Sequence, residues 1–159
     1  MDYLKRIADE ELSLRLEAFG AVQIKGPKWC GKTTTAERQA KSVIKLQDPD
    51  KRAGYMATIR TKPSIILKGE TPRLIDEWQD APILWDAVRT LVDQRKLKGQ
   101  FILTGSTIIK KKNALLLNKS THVKDFPVCS CLFKNSGDSL WGETDKWHQS
   151  VHNEKCFLR

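Results

Sequence analysis

The sequence predicts an α/β protein, a parallel sheet flanked by helices. Two patterns carry that expectation. Short apolar runs alternate with amphipathic stretches as far as residue 106, the signature of strand–helix–strand units. The chain has 159 residues, 40% hydrophobic and 30% charged, which suits one globular domain. Ligands of such sheets bind beyond the carboxyl ends of the strands.

The elements follow in order. Leu4, Ile7, Ala8, Leu12, Leu16 and Phe19 recur at spacings of three and four, an amphipathic helix that Gly20 stops. Ala21 to Lys25 reads as a short buried strand ended by Gly26. Thr33 to Ile44 reads as a helix with Ala36, Ala40 and Val43 on one face, although Val43 to Leu46 also reads as the start of a strand. Asp48-Pro49-Asp50 is a turn. Lys51 to Arg60 suits a short helix, and Arg73-Leu74-Ile75 a strand running into Asp76. Pro82 opens a helix with Leu84, Val88, Leu91 and Val92 as its stripe, and Gly99 breaks it. Phe101 to Thr104 is the last clear strand.

After Ser106 the pattern changes. Ser, Asn, Lys and Thr dominate, and no helical or strand period holds for long. Residues 1–106 therefore form the expected core, and 107–159 a divergent basic tail that contains cysteines and histidines. The net charge is +9, of which the shorter tail carries nearly half. That surface attracts nucleic acid, nucleotides and anionic membranes alike, so it is weak support for a nucleic-acid partner. Lys110 to Lys112 either contact nucleic-acid phosphates or form a solvated loop. No apolar run approaches a membrane span, and the N-terminus has no secretory h-region, so a cytoplasmic protein is expected.

Gly26-Pro27-Lys28-Trp29-Cys30-Gly31-Lys32-Thr33 fits G-x-x-x-x-G-K-[ST], the Walker A phosphate loop, or P-loop. The glycines let the backbone curl so that its N–H groups converge on a phosphate. The following helix offers its unpaired N–H groups and positive dipole end to the same anion. Lys32 reaches the β- and γ-phosphates, and the Thr33 hydroxyl ligates Mg²⁺. Thr34, next in the first helical turn, completes the expected ATP-binding set of residues 26–34.

Arg73-Leu74-Ile75-Asp76-Glu77 suits a Walker B strand. Asp76 would hold Mg²⁺ and Glu77 would polarise the attacking water. Thr104 or Ser106, at the end of the Phe101 strand, would sense the γ-phosphate, or else form an ordinary strand-to-loop turn.

Other residues carry weaker readings. Cys129 and Cys131 with His148, His152 and Cys156 carry zinc-ligand chemistry, but C-x-C is not the usual knuckle spacing and they read as incidental. Cys30 reads as a space-filling loop residue rather than a redox switch. Trp29, Trp78 and Trp85 read as packing residues rather than adenine platforms.

Glu17 to Gly20, the Gly26–Thr33 loop, Gln47 to Asp50, Glu70 to Gln79, Ala81-Pro82, Leu84 to Asp86 and Phe101 to Ser106 together resemble a prokaryotic AAA-type ATPase family. In that family the AAA domain precedes a C-terminal domain of unknown function. The resemblance covers roughly residues 3–106. It implies a P-loop NTPase fold with an AAA-type parallel sheet, incomplete here on its C-terminal side. It also implies phosphate and magnesium roles for Lys32 and Thr33, Walker B roles for Asp76 and Glu77, a sensor strand at Thr104 to Ser106, and homo-oligomers. The family's Arg-containing segment has no counterpart, since Arg159 is the only arginine after residue 106. Leu132 to Ser139 only partly echoes a later family string. The chain is therefore read as a truncated or frame-disrupted relative.

The expected function is Mg-dependent ATP binding and hydrolysis. The alternatives are a nucleotide-binding module without turnover and a nucleic-acid-associated ATP switch.

Overall fold

The computed structural model describes residues 3–106 together with the backbone of residues 123–127. Among the described residues five helices and five strands follow in chain order: α1 (Ile7–Ala18), β1 (Ala21–Gly26), α2 (Lys32–Gln39), β2 (Ser42–Lys45), α3 (Arg52–Thr61), α4 (Pro63–Ile66), β3 (Arg73–Asp76), α5 (Ile83–Arg95), β4 (Phe101–Ser106) and β5 (Val123–Pro127). A 3-10 turn, Trp78–Asp80, joins β3 to α5. The strands form one sheet in the order β2-β3-β4-β1-β5, and every pairing is parallel.

Successive strand residues face opposite sides of a sheet, so a strand covered on both faces is apolar throughout. Val22, Ile24, Leu74 and Ile102 enter one core with Ala8, Leu12 and Leu16 of α1 and Ala36 of α2. Ala21, Ile75, Phe101 and Leu103 enter the other with residues of α3, α4 and α5. The sheet is therefore flanked by helices on both faces, as the alternation predicts.

Parallel strands also bring all their carboxyl ends to one edge. Gly26 stands opposite Ser106, and Lys45 opposite Asp76. β4 lies between β1, which runs into the 26–33 motif, and the Asp76 strand β3. Gly26, Asp76 and Ser106 are 30 to 80 residues apart along the chain but share this rim.

Several elements differ from expectation. The helix expected over Thr33–Ile44 stops at Gln39, and Val43 sits 40% exposed in β2. The alternative strand reading holds, because Val43 and Ile44 pair with Leu74 and Ile75 at the sheet edge. Pro63 starts the extra helical turn α4, a position that its fixed φ favours. The α1 stripe is narrower than its periodicity suggests: Leu4 is 69% exposed and Ile7 43%. The backbone of Val123–Pro127 pairs with β1 on the side away from β4. That strand lies within the stretch that showed no strand period. Lys110 to Lys112, Cys129, Cys131, Leu132 to Ser139, His148, His152, Cys156 and Arg159 lie outside the described residues.

Candidate functional site

The loop between β1 and α2 begins as Gly26 closes the strand. Trp29 has φ 69° and Gly31 φ 80°, both left-handed. Such turns aim successive N–H groups into one concavity, which suits an anion. α2 follows at once, with the Thr35 N–H donating to the Gly31 carbonyl at 3.0 Å. The N–H groups of its first turn have no partners within the helix.

Lys32 is 5% exposed. Its ammonium donates to the carbonyls of Gly26 (3.0 Å) and Pro27 (2.7 Å) and approaches Cys30 Sγ at 4.0 Å. Among the described residues no carboxylate pairs with it. A buried cation held only by neutral acceptors leaves a positive field that an anion neutralises. Cys30 is 4% exposed and fills space, as expected. Pro27, Lys28 and Thr34 are exposed.

Across β4, half-buried Asp76 gathers two hydroxyls on one oxygen. Thr33 Oγ1 donates to Asp76 Oδ1 at 2.8 Å, and Thr104 Oγ1 donates to the same atom. Thr104 is fully buried, so its hydroxyl has no route to bulk water. Thus residues from α2, β3 and β4 converge on a single carboxylate.

Glu77 takes a left-handed backbone, φ 55° and ψ 47°, and the chain turns sharply after β3. Its Oε2 accepts from Gln79 Nε2, which also donates to Ser106 Oγ at 3.3 Å. The residues picked out by sequence therefore form two adjoining groups. One is Thr33, Asp76 and Thr104. The other is Glu77 and Ser106, joined by Gln79.

Lys45 adds positive charge at the same rim. Its ammonium pKa is held above the usual range, first by the hydrogen bond to Glu37 and then by that residue's charge, with smaller help from Asp76 and Asp48. The Glu37 ion pair is 2.7 Å long. Arg52 pairs with Asp80 at 2.9 Å, tying the turn after β3 to the start of α3.

The tryptophans separate. Trp78 and Trp85 are buried, with ring centroids 5.2 Å apart, and serve as packing residues. Trp29 does not: it is 99% exposed at the loop tip. The loop's backbone carries the local conformation, so the side chain is free to face solvent.

Two residues of the site were not picked out from sequence. Gln79 belongs to the Glu70–Gln79 string but has no assigned role in it. Arg6 lies far upstream, and its Nη1 donates to the carbonyls of Cys30 and Gly31 at 3.4 Å each. No spacing signal connects position 6 to the loop.

No helix among the described residues is long and apolar enough to cross a membrane. No curated protein matches the sequence. A family model described as AAA domain matches residues 18–134, nearly three quarters of the chain, and it includes β5 as well as the whole 26–34 loop. The parallel α/β sheet flanked by helices agrees with this match, and the chain belongs to the AAA domain family, a nucleotide-binding class of domain.

Proposed function

We propose that the chain binds Mg-ATP at the 26–34 loop and hydrolyses it. The observation that carries this reading is the meeting of Thr33 Oγ1 and Thr104 Oγ1 on Asp76 Oδ1, with the buried Lys32 one residue before Thr33. Lys32 would exchange loop carbonyls for phosphate oxygens, since a charged acceptor makes the stronger hydrogen bond.

The donor set fits magnesium. Thr33 Oγ1 and Asp76 Oδ1 are 2.8 Å apart. Neighbouring ligands of an octahedral Mg²⁺ with bonds of ~2.1 Å are separated by about 3 Å. Thr33 and Asp76 would hold the ion, directly or through water, and the ion would neutralise charge on the β- and γ-phosphates. Glu77 would accept a proton from the water that attacks the γ-phosphorus. The bond from that phosphorus to the bridging oxygen then breaks and ADP leaves. Thr104 would hold the Asp76 carboxylate, and Ser106 would stand at the rim beside Glu77.

Thermal stabilisation by Mg-ATP tests binding. A ligand that binds only the folded state raises stability by about 2.7 kcal/mol at a hundredfold excess over Kd. The shift is expected in the wild type and lost in Lys32→Ala. Phosphate release that is abolished by Glu77→Gln, with binding intact, would support turnover. A shift of equal size in Lys32→Ala would remove the loop from consideration.

A second reading, nucleotide binding without turnover, draws support from the rim's cations. Lys45 and Arg52 are both engaged in ion pairs, with Glu37 and Asp80. Wild-type binding with no phosphate release would favour it.

A further inference from the structure

We propose that Gln79 is a positioning residue that fixes the Glu77 carboxylate against the carboxyl end of β4. The inference rests on the hydrolytic reading above and deepens it.

The amide of Gln79 has two N–H donors. One goes to Glu77 Oε2 and the other to Ser106 Oγ, so both are used. The amide orientation is fixed by chemistry: a flipped group would set its carbonyl oxygen against the carboxylate. The left-handed backbone of Glu77 turns the chain so that side chains two residues apart can meet. The turn is anchored on two sides. Trp78 packs against Trp85 with the rings tilted by 35°, and Asp80 accepts from Arg52 at 2.9 Å and from Gln47 at 3.5 Å. Gln79 therefore stands on a rigid base.

Gly105 fits this arrangement closely. A Cβ there would lie 2.4 Å from Gln79 Oε1, so the amide occupies the space a side chain on β4 would need. Oε1 itself is buried and has no hydrogen-bond donor. An apolar side chain of similar size would fill the same space without a stranded acceptor. Folding alone thus argues against glutamine at this position, whereas orienting a carboxylate requires its two donors. Held this way, Glu77 has one carboxylate oxygen engaged and the other left to take a proton.

The test compares wild type with Gln79→Leu and Gln79→Asn, reading Mg-ATP affinity, kcat and melting temperature. In Gln79→Leu, kcat is expected to fall at least tenfold, with Mg-ATP affinity changed less than twofold and no fall in melting temperature. Gln79→Asn retains the donors on a shorter arm and is expected to recover part of the loss. A second measurement needs no turnover. The side-chain amide ¹H–¹⁵N resonance of Gln79 is expected to shift, and its protons to exchange faster with solvent, in Glu77→Ala. Unchanged kcat in Gln79→Leu, or an amide resonance indifferent to Glu77→Ala, overturns the proposal. If the wild type binds Mg-ATP without releasing phosphate, the hydrolytic reading fails alone, and the amide resonance decides whether Gln79 holds Glu77.

Discussion

The guanidinium of Arg6 lies where a side chain on Gly31 would have to go: a Cβ there would sit 2.0 Å from Arg6 Nη1. The same nitrogen donates to the Gly31 and Cys30 carbonyls, so the residue that opens α1 braces the 26–34 loop from outside. Gly31 also has φ 80°, which disfavours any other residue by roughly 1–2 kcal/mol. Gly31→Ala is expected to cost about 2–3 kcal/mol in urea unfolding, from strain and the collision together. In an Arg6→Ala background the collision is gone and only the strain remains. The double-mutant cycle should then show a coupling of about 1 kcal/mol. Strict additivity would mean that Arg6 does not occupy this space in solution.

Thr104 and Thr33 both donate to Asp76 Oδ1, but they differ in what depends on them. Thr104 is fully buried, so Thr104→Val leaves the carboxylate short of a donor that water cannot replace. A hydrogen bond to a charged group contributes about 1.5–3 kcal/mol, and a loss in that range is expected. Thr33 is only half-buried, so Thr33→Val should cost less than 1 kcal/mol of stability. Ligand binding should reverse the ranking. Stabilisation by Mg-ATP over ATP without Mg²⁺ is expected to vanish in Thr33→Val and to survive in Thr104→Val. Parallel melts of both variants, with and without Mg²⁺, decide it.

How much of this was legible in the sequence depended on range. The 26–33 motif is local: its glycines, lysine and threonine fall within eight residues, so spacing alone exposes it. Asp76 and Thr104 were legible because each ends an apolar run, and in a parallel sheet all such ends meet at one edge. Ser42–Lys45 was ambiguous because two β-branched residues in a four-residue edge strand also fit a helix end. Val123–Pro127 carries no alternation, since Lys124 and Asp125 interrupt its apolar residues, and only its pairing with β1 defines it. Arg6 was hidden for the opposite reason: its partners are backbone carbonyls, which leave no complementary residue type to find. Gln79 was hidden because glutamine at a turn has no distinctive period, and its role depends on the left-handed backbone of Glu77.

Tyr3 ties the start of the chain to α1. Its hydroxyl donates to both Asp9 carboxylate oxygens, at 2.7 and 2.8 Å, and its ring lies 4.2 Å from the Arg38 guanidinium. Burial raises its pKa first and the hydrogen bond to Asp9 next; Thr35 lowers it, the Asp9 charge adds a lesser rise, and Arg6 opposes that rise least. The folded state therefore holds the phenolic proton more tightly than the unfolded chain. This contribution is present in full below the unfolded value of about 10 and is lost as pH rises through the higher folded value. Stability is expected to fall with pH in that alkaline window. Tyr3→Phe should lower stability by about 1 kcal/mol at neutral pH and flatten the alkaline decline. Denaturant midpoints measured from pH 8 upward, in steps of about half a unit, give both numbers. An equally steep decline in Tyr3→Phe would assign the slope to other groups.

Trp29 combines two properties that rarely occur together, a left-handed backbone and a side chain 99% exposed. The loop requires the backbone, because turning its N–H groups inward needs positive φ. The indole adds no burial to offset that conformation. Trp29→Gly therefore removes roughly 1–2 kcal/mol of local strain, while the added freedom of glycine in the unfolded chain returns about 0.5–1 kcal/mol. The net is expected to lie between neutrality and a gain of about 1.5 kcal/mol. Trp29→Val sends the change the other way, because a β-branched side chain tolerates positive φ least, and it should destabilise the protein. The same pair should order Mg-ATP affinity, since a loop already holding the left-handed turn has less conformational freedom to lose on binding. Urea unfolding and Mg-ATP titration of both variants supply the comparison. If Trp29→Gly were destabilised by more than about 1 kcal/mol, the indole would have to be making contacts in solution that its exposure denies.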